Sequence, residues 1–451
     1  MTIIRRSLES AFAVVFALSV AACGLLDTDQ PNIIQPNNLD TPEGAEAVRV
    51  GAIRAFAFAK DGDGSQASTE GLLVLTGDMS DELQHSGFIP STVEFDQRLV
   101  AANNGSLEDI WHRLHQARSQ AEDAAARLQK FAVDPTTNAG IPEMLSLAGY
   151  TYIYFAEDFC SGVTYSSIVA GLQVPGPQDS TVGSLRRAIA RFDSALASPA
   201  ISVDPSIQYL AAVGKGRAML SLAKFDSAAI AVAGVPTSFE YVSEHAAAPL
   251  DLANAVFVYG ISGTADAAGS ISVADSEGAN GLPFRSALDP RVPFVDTGHL
   301  GLDQTTPQFD ITKYPDPSSP VVVADGKEAR LIEAEAALNQ GQLPTMSLIL
   351  NTLRTGDTLG LDTLPTPGSA AEARAQLFSE RAFWMYATGH RLGDLRRLVR
   401  QYNLTADAVY PTGTYLRGGS YGTRISFPVP ASEDQNPHFD RTKCNPDADT
   451  P

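Results

Sequence analysis

The sequence predicts an all-α protein built of helical hairpins with long irregular loop insertions. Three observations carry that expectation. Apolar residues recur at three- and four-residue steps in several long runs. Small residues recur at matching offsets in two paired runs. The stretches between are rich in Gly, Ser, Pro and Asp.

The first helix opens at Asp40-Thr41-Pro42-Glu43, capping residues followed by a proline suited to a first turn. It continues through Val48, Ala52, Ile53, Phe56 and Ala59. Residues 61–69 (DGDGSQAST) read as a loop, 71–84 as renewed structure and 85–104 as a second irregular stretch. Residues 107–131 form a long amphipathic helix, with Ile110, Trp111, Leu114, Ala117, Ala121, Ala125 and Leu128 on one face. Helices follow over 142–159 and 182–197. Residues 207–235 read as a helix pair in which Gly216, Ala223, Phe225 and Ala228 fall at the offsets of tetratricopeptide repeats, closed by Pro236. A second pair over 327–354 places Ala334, Gly341, Leu343 and Met346 at the same offsets. Such offsets put small residues where helices cross closely and a proline where the second helix stops. Residues 236–325 form a loop-rich, variable insertion, where ligand loops are expected.

The leader reads as an export signal. Arg5 and Arg6 precede an apolar run over 11–22, too short to span a bilayer core. The run ends in Val20-Ala21-Ala22-Cys23, which looks like a bacterial lipobox. Residues 1–22 are then a signal peptide, Cys23 is lipidated, and 23–38 is a tether leading into one domain over 39–451. The plain alternative is an ordinary secretory signal with a nearby cysteine. No later stretch reaches 18 apolar residues, so the membrane is met through the lipid anchor only. An oxidising compartment permits disulfides, and the two remaining cysteines, Cys160 and Cys444, are expected to pair. The alternative reading is two unpaired small hydrophobes.

Net charge is −20, and −21 once Arg5, Arg6 and Glu9 leave with the leader. That surface repels nucleic acid and anionic lipid, and suits neutral or cationic ligands better than sulfated glycans. Chemical motifs are weak. Gly418-Gly419-Ser420-Tyr421-Gly422 matches a nucleophile elbow, but an extended, proline-ended segment follows where a helix is required. His112 and His115 stand three apart on a helix with no third ligand at a recognised spacing. Asp61-Gly62-Asp63-Gly64 begins like a calcium loop yet meets Leu72 at its twelfth position. The acid pairs Glu157-Asp158 and Glu433-Asp434 point different ways on a helix and reflect the general acid excess. No catalytic residue, metal or cofactor is expected.

One pair of segments is distinctive. Residues 380–397 (ERAFWMYATGHRLGDLRR) open as a helix, break at Gly389 and resume with an acid among arginines; 425–433 (ISFPVPASE) follow. This pair resembles the closing signature of the SusD/RagB family, roughly ER-x-x-E-x-x-x-E-G-x-R-x-x-D-L-x-R and then F-P-I-P-x-x-E-x-x-x-N-P. Trp384 and Thr388 stand where the family commonly has glutamate. Physically, Phe383, Trp384, Tyr386 and Ala387 suit a core, Gly389 suits a C-cap, and Arg391, Asp394, Arg396 and Arg397 suit an ion-pair network, so the segment reads as scaffold.

The resemblance extends over the lipobox, first helix and hairpins. It implies a SusD-like, tetratricopeptide-like surface lipoprotein of the outer membrane. Such a protein binds an oligosaccharide and delivers it to a SusC-like TonB-dependent transporter, without enzymatic activity. Alternatives are a binder of peptides or other small nutrients with the same lid role, or a surface hydrolase. The resemblance implies an aromatic, shallow glycan site made from the early loop and the central insertion. In this sequence those segments offer Phe88, Phe95, Asp96, Gln97, Arg98, Asn103 and Asn104, and then Tyr259, Phe284, Arg285, Phe294, Phe309 and Tyr314. Trp111, on the apolar face of its helix, is expected in the core.

Overall fold

The computed structural model describes residues 39–65, 70–169, 172–263 and 269–448; the signal peptide, Cys23 and the tether lie outside these residues. The helices in chain order are α1 (Pro42–Asp61), α2 (Leu72–Met79), α3 (Pro90–Asp96), α4 (Gly105–Phe131), α5 (Gly140–Asp158), α6 (Thr181–Leu196), α7 (Pro205–Ser221) and α8 (Phe225–Val232). After the insertion, which holds α9 (Ala255–Gly260), come α10 (Gly326–Asn339), α11 (Leu343–Gly356), α12 (Ala370–Trp384), α13 (Arg391–Arg400) and α14 (Ala406–Val409).

Their starts follow from capping chemistry. Thr41, Asn104, Ser180, Asp204, Asp325 and Ser369 each accept a backbone N–H in the first turn of α1, α4, α6, α7, α10 and α12. Small residues then allow close crossings. A Cβ on Gly216 would lie 2.5 Å from Val232 Cγ1, which is why α7 and α8 lie tight together. Gly214 and Gly149 make room for the Phe192 ring in the same way. Ala223 takes a left-handed φ of 57° in the α7–α8 turn and Gly341 one of 73° in the α10–α11 turn, both at tetratricopeptide offsets. The fold is helix-rich and tetratricopeptide-like, with small sheets.

Those sheets are antiparallel two-stranded pairs. β1 (Leu83–His85) pairs with β7 (Ile271–Val273), and β6 (Glu240–Ser243) with β10 (Val321–Asp325). β2 (Val163–Thr164) pairs with β5 (Gln178–Asp179), β3 (Ser167–Val169) with β4 (Leu172–Val174), and β8 (Phe294–Leu300) with β9 (Pro307–Ile311). Two corrections follow for the early loop. The irregular reading of 85–104 missed α3, which Pro90 starts at a first-turn position, and missed the register that pairs His85 with Ile271.

The main core joins α1 and α4 to α8, and Trp111 lies in it, 1% exposed, edge-on to Phe155 and Phe159. A second core lies beneath the insertion and a third between α10, α11 and α12. Cys160 and Cys444 form a disulfide with a Cα–Cα distance of 5.1 Å, closing a sequence separation of 284. Crosslinking so long a loop restricts the unfolded chain strongly, so Cys444→Ser is expected to lower stability by about 2–4 kcal/mol in urea titration, an effect absent under reducing conditions.

The 380–397 segment locks these layers together. Asp394 accepts from Arg381 Nε at 2.9 Å and from Arg397 Nη2 at 2.7 Å, and Arg397 Nη1 reaches Glu335 of α10 at 2.5 Å. Arg391 grips Asp81 with Nε at 2.6 Å. Glu380 accepts from Arg291 of the insertion at 2.8 Å and from Arg354 of α11 at 2.7 Å. Arg396 also ties the segment to α5: its Nη1 donates to the carbonyls of Ala156, Glu157 and Phe159, opposing the negative end of that helix. α12 also ends at Trp384, ahead of the break expected at Gly389. Ala387 then turns left-handed (φ 50°), Gly389 follows (φ 77°), and the N–H of Ala387 donates to Glu82 Oε1 at 2.8 Å. At the two departures from the family pattern, Trp384 lies under the Arg291 guanidinium at 4.9 Å, and the Thr388 hydroxyl bonds the Met385 carbonyl at 2.5 Å.

Candidate functional site

The early loop and the insertion do meet on one face. Ser86 N donates to Ser270 O at 2.7 Å, Asp303 N to Ser86 O at 2.9 Å, and Ser86 Oγ lies 2.8 Å from Gln308 Oε1. A third segment joins them from the C-terminal end. Arg417 Nη1 donates to Gly87 O at 2.7 Å while its Nε sits 3.3 Å from Asp303 Oδ2. Gly422 N donates to Gln97 O at 2.8 Å, a close approach that a side chain on Gly422 would block, since its Cβ would lie 2.2 Å from Arg98 O. Large apolar side chains are exposed on each of the three segments, among them Phe88 at 66%, Leu300 at 50% and Leu416 at 46%. The positive φ of Gly418 (96°) and Gly419 (80°) shapes the third segment as a turn, closed by Tyr415 N donating to Gly419 O at 3.1 Å. Neither a helix nor a strand flanks that turn in the manner of a nucleophile elbow.

Burial sorts the residues named from sequence. Phe88 and Asn103 are exposed, and Phe309 and Phe294 are half-buried. Phe95, Asp96, Arg98, Tyr259, Phe284 and Tyr314 are buried, and are corrected from ligand contacts to structure. Phe95 packs edge-on to Phe427 at 4.8 Å, and Phe284 lies against Phe383 and Tyr386. Tyr259, Phe284 and Tyr314 belong to the second core, and the Tyr314 hydroxyl donates to Ala387 O at 2.7 Å. Arg98 donates from Nε to Arg424 O at 2.8 Å and from Nη1 to Pro411 O at 2.5 Å, with Tyr410 stacked at 4.7 Å. It fastens the early loop to the C-terminal segment. Arg285 lies 3.6 Å over the Phe309 ring, Asn104 caps α4, and Gln97 Nε2 donates to Ser420 O at 3.1 Å.

Under this face lies a buried acid cluster that sequence reading missed. Asp96 accepts from Tyr415 OH at 2.7 Å and from His85 N at 3.1 Å. Burial, with Asp78 nearby, pushes its carboxyl up; burial also raises Asp78 and lowers His85. His85 is therefore neutral. Its Nε2 lies 2.9 Å from Thr92 Oγ1, a hydroxyl that donates to Ile89 O, and its Nδ1 lies 3.3 Å from Asp78 Oδ2. Glu277, raised by burial, has no hydrogen-bond partner on either oxygen. A signal for this was available: Glu70, Asp78, Asp81, Glu82, His85 and Asp96 crowd residues 70–96, beside the apolar run Leu72-Leu73-Val74-Leu75.

The remaining motif residues have structural roles. His112 is exposed and bonds Glu108 at 2.7 Å, whereas His115 stacks on Phe155 at 4.4 Å, so the two do not share a ligand. Asp61 is buried against Lys60 Nζ at 2.6 Å. Glu157 accepts from Arg217 at 2.5 Å, and Asp434 pairs with Arg441 at 2.7 Å. Among the described residues no helix is long and apolar enough to cross a membrane.

No family model and no curated protein matches the chain. Solved structures do. A SusD superfamily protein from Bacteroides thetaiotaomicron superposes with a TM-score of 0.65 at 15% identity, over 90% of this chain and 100% of that one. A laminarin binding SusD-like protein gives 0.62 at 14%, over 90% and 100%. A SusD-like carbohydrate binding protein from Bacteroides vulgatus gives 0.59 at 16%, over 79% and 83%. The architecture is therefore that of the SusD-like proteins: the chain has the SusD-like fold.

Proposed function

We propose that the protein is a member of the SusD/RagB family that binds a neutral oligosaccharide and hands it to a TonB-dependent transporter. The observation that carries this reading is the SusD-like fold over nine-tenths of the chain, shared with proteins described as carbohydrate binding and laminarin binding. The stitched face agrees with it. Arg417 is occupied by Asp303 and Gly87 O, so what the early loop offers is the exposed Phe88 ring and the exposed Asn103 amide, side chains suited to a sugar's apolar face and hydroxyls. The overall charge of −20 favours an uncharged ligand. The lipobox at Cys23 supports anchoring to the outer membrane with the binding face outward, and residues 39–451 act as one domain. The role is capture without turnover.

A glycan array followed by isothermal titration tests this. A neutral glycan is expected to bind, and Phe88→Ala to weaken it about threefold to tenfold, as loss of one aromatic contact would, with the melting temperature unchanged. Binding of peptides and of no glycan would overturn the carbohydrate reading and leave the lid role; turnover of a labelled polysaccharide would overturn the non-enzymatic one.

A further inference from the structure

Away from the Phe88 face, a cleft opens between α4, the β3–β4 hairpin and the turn at 431–436. Its volume is about 440 Å³, and a shallower space of about 300 Å³ continues it, sharing Ser166 and Glu433. Ligand pockets of small molecules span roughly 300–1,000 Å³. We infer that this cleft is a second binding site, for two or three rings of a neutral oligosaccharide; the inference rests on the glycan-binding reading and deepens it.

Beneath the cleft floor lie two buried polar atoms with no hydrogen-bond partner among the described residues, His115 Nε2 and Arg118 Nε. Both side chains are otherwise fixed. Arg118 is 6% exposed; its Nη1 donates to Glu122 at 2.8 Å and its Nη2 to Ser166 O at 2.6 Å. His115 lies tilted against Phe155 at 4.4 Å and edge-on to Trp111 at 4.6 Å, and burial lowers its pKa, so the ring is neutral.

Charge then selects the ligand class. The Arg118 guanidinium is balanced by Glu122, which also takes Arg191 at 2.8 Å. The Glu433 carboxylate receives Trp111 Nε1 at 3.3 Å, Thr164 Oγ1 at 2.7 Å and Asn436 Nδ2 at 3.2 Å. An anion would meet Glu433, and a cation would meet Arg118. A hydroxyl both gives and accepts a proton, so it can serve the Glu433 carboxylate and the amide of Gln120 alike. Trp111 is too buried to stack on a ring, which makes this a hydrogen-bonding subsite, unlike the aromatic face.

The test uses imidazole NMR of His115 and isothermal titration with laminaritriose, cellotriose, maltotriose, xylotriose and mannotriose. At least one is expected to shift the His115 resonance in the wild type and equally in Phe88→Ala. Ser119→Trp, which fills the cleft, is expected to weaken that response more than tenfold, and Gln120→Ala at least threefold. Gln120→Ala removes one lining amide only, so it carries the test if the larger residue disturbs folding. Saccharide binding that is lost in Phe88→Ala and untouched by both cleft variants would overturn this site and leave the glycan reading standing. No response to any saccharide, at His115 or by titration, would overturn both.

Discussion

Asp394→Ala is expected to lower stability by about 3–5 kcal/mol, read as a fall in the urea midpoint at unchanged slope. The magnitude follows from what the carboxylate leaves behind. Asp394, Arg381 and Arg397 are all buried, at 3%, 2% and 3% exposure. Burial raises the Asp394 carboxyl, yet Arg381 and Arg397 outweigh it and hold the group far below the usual carboxylate range. Removing it strands the Arg381 guanidinium without its anion, while Arg397 keeps Glu335. An exposed control separates burial from charge counting. Arg127 bonds Asp123 and Asp40 at 2.7 Å each, but all three are open to solvent, so Arg127→Ala should cost less than about 1 kcal/mol.

The second large effect has the opposite sign and depends on pH. Glu82 is 1% exposed, accepts the Ala387 N–H on Oε1, and has no partner on Oε2. Burial pushes its pKa from an ordinary 4.5 up to about 8, against the pull of Lys313 and Arg391 and with Asp81 adding to the rise. A folded pKa above the unfolded one means the native state holds the proton longer. Stability from this group is fully present below about pH 4.5 and declines as pH rises to about 8. Glutamine mimics the protonated acid and keeps the acceptor for Ala387. Glu82→Gln should therefore match the wild type near pH 4 and exceed it by roughly 2–4 kcal/mol at pH 8. A constant difference across that window would refute the assignment of Glu82 as the titrating group.

How much of this could be read in advance differs by element, for physical reasons. α4 and the two hairpins were legible because their apolar period and small-residue offsets are local properties of the chain. Arg391, Asp394 and Arg397 were legible as members of an ion-paired scaffold, since an acid stands among arginines just after a helix break, but the Arg381 that Asp394 binds across that break was not. Partners far along the chain were not: nothing near Arg391 indicates Asp81, nor near Glu380 indicates Arg291. The ligand side chains were the least legible. Aromatic rings in a loop-rich insertion read equally as binders and as core, and Tyr259, Phe284 and Tyr314 turned inward because the insertion builds a hydrophobic core of its own. Phe88 faces out because β1 ends just before it, at His85, and α3 begins just after it, at Pro90.

The β8–β9 hairpin hangs from the end of α12 at both of its roots. Arg291, just before it, is held by Glu380; just after it, Lys313 donates to Tyr386 O and Tyr314 to Ala387 O. Residues 292–312 thus behave as a cassette with two fixed sockets, contributing Phe294, Phe309 and Ile311 to the interior and presenting Leu300 at its tip region. Residues between the two sockets can therefore change in sequence and length while the helical frame stays as it is.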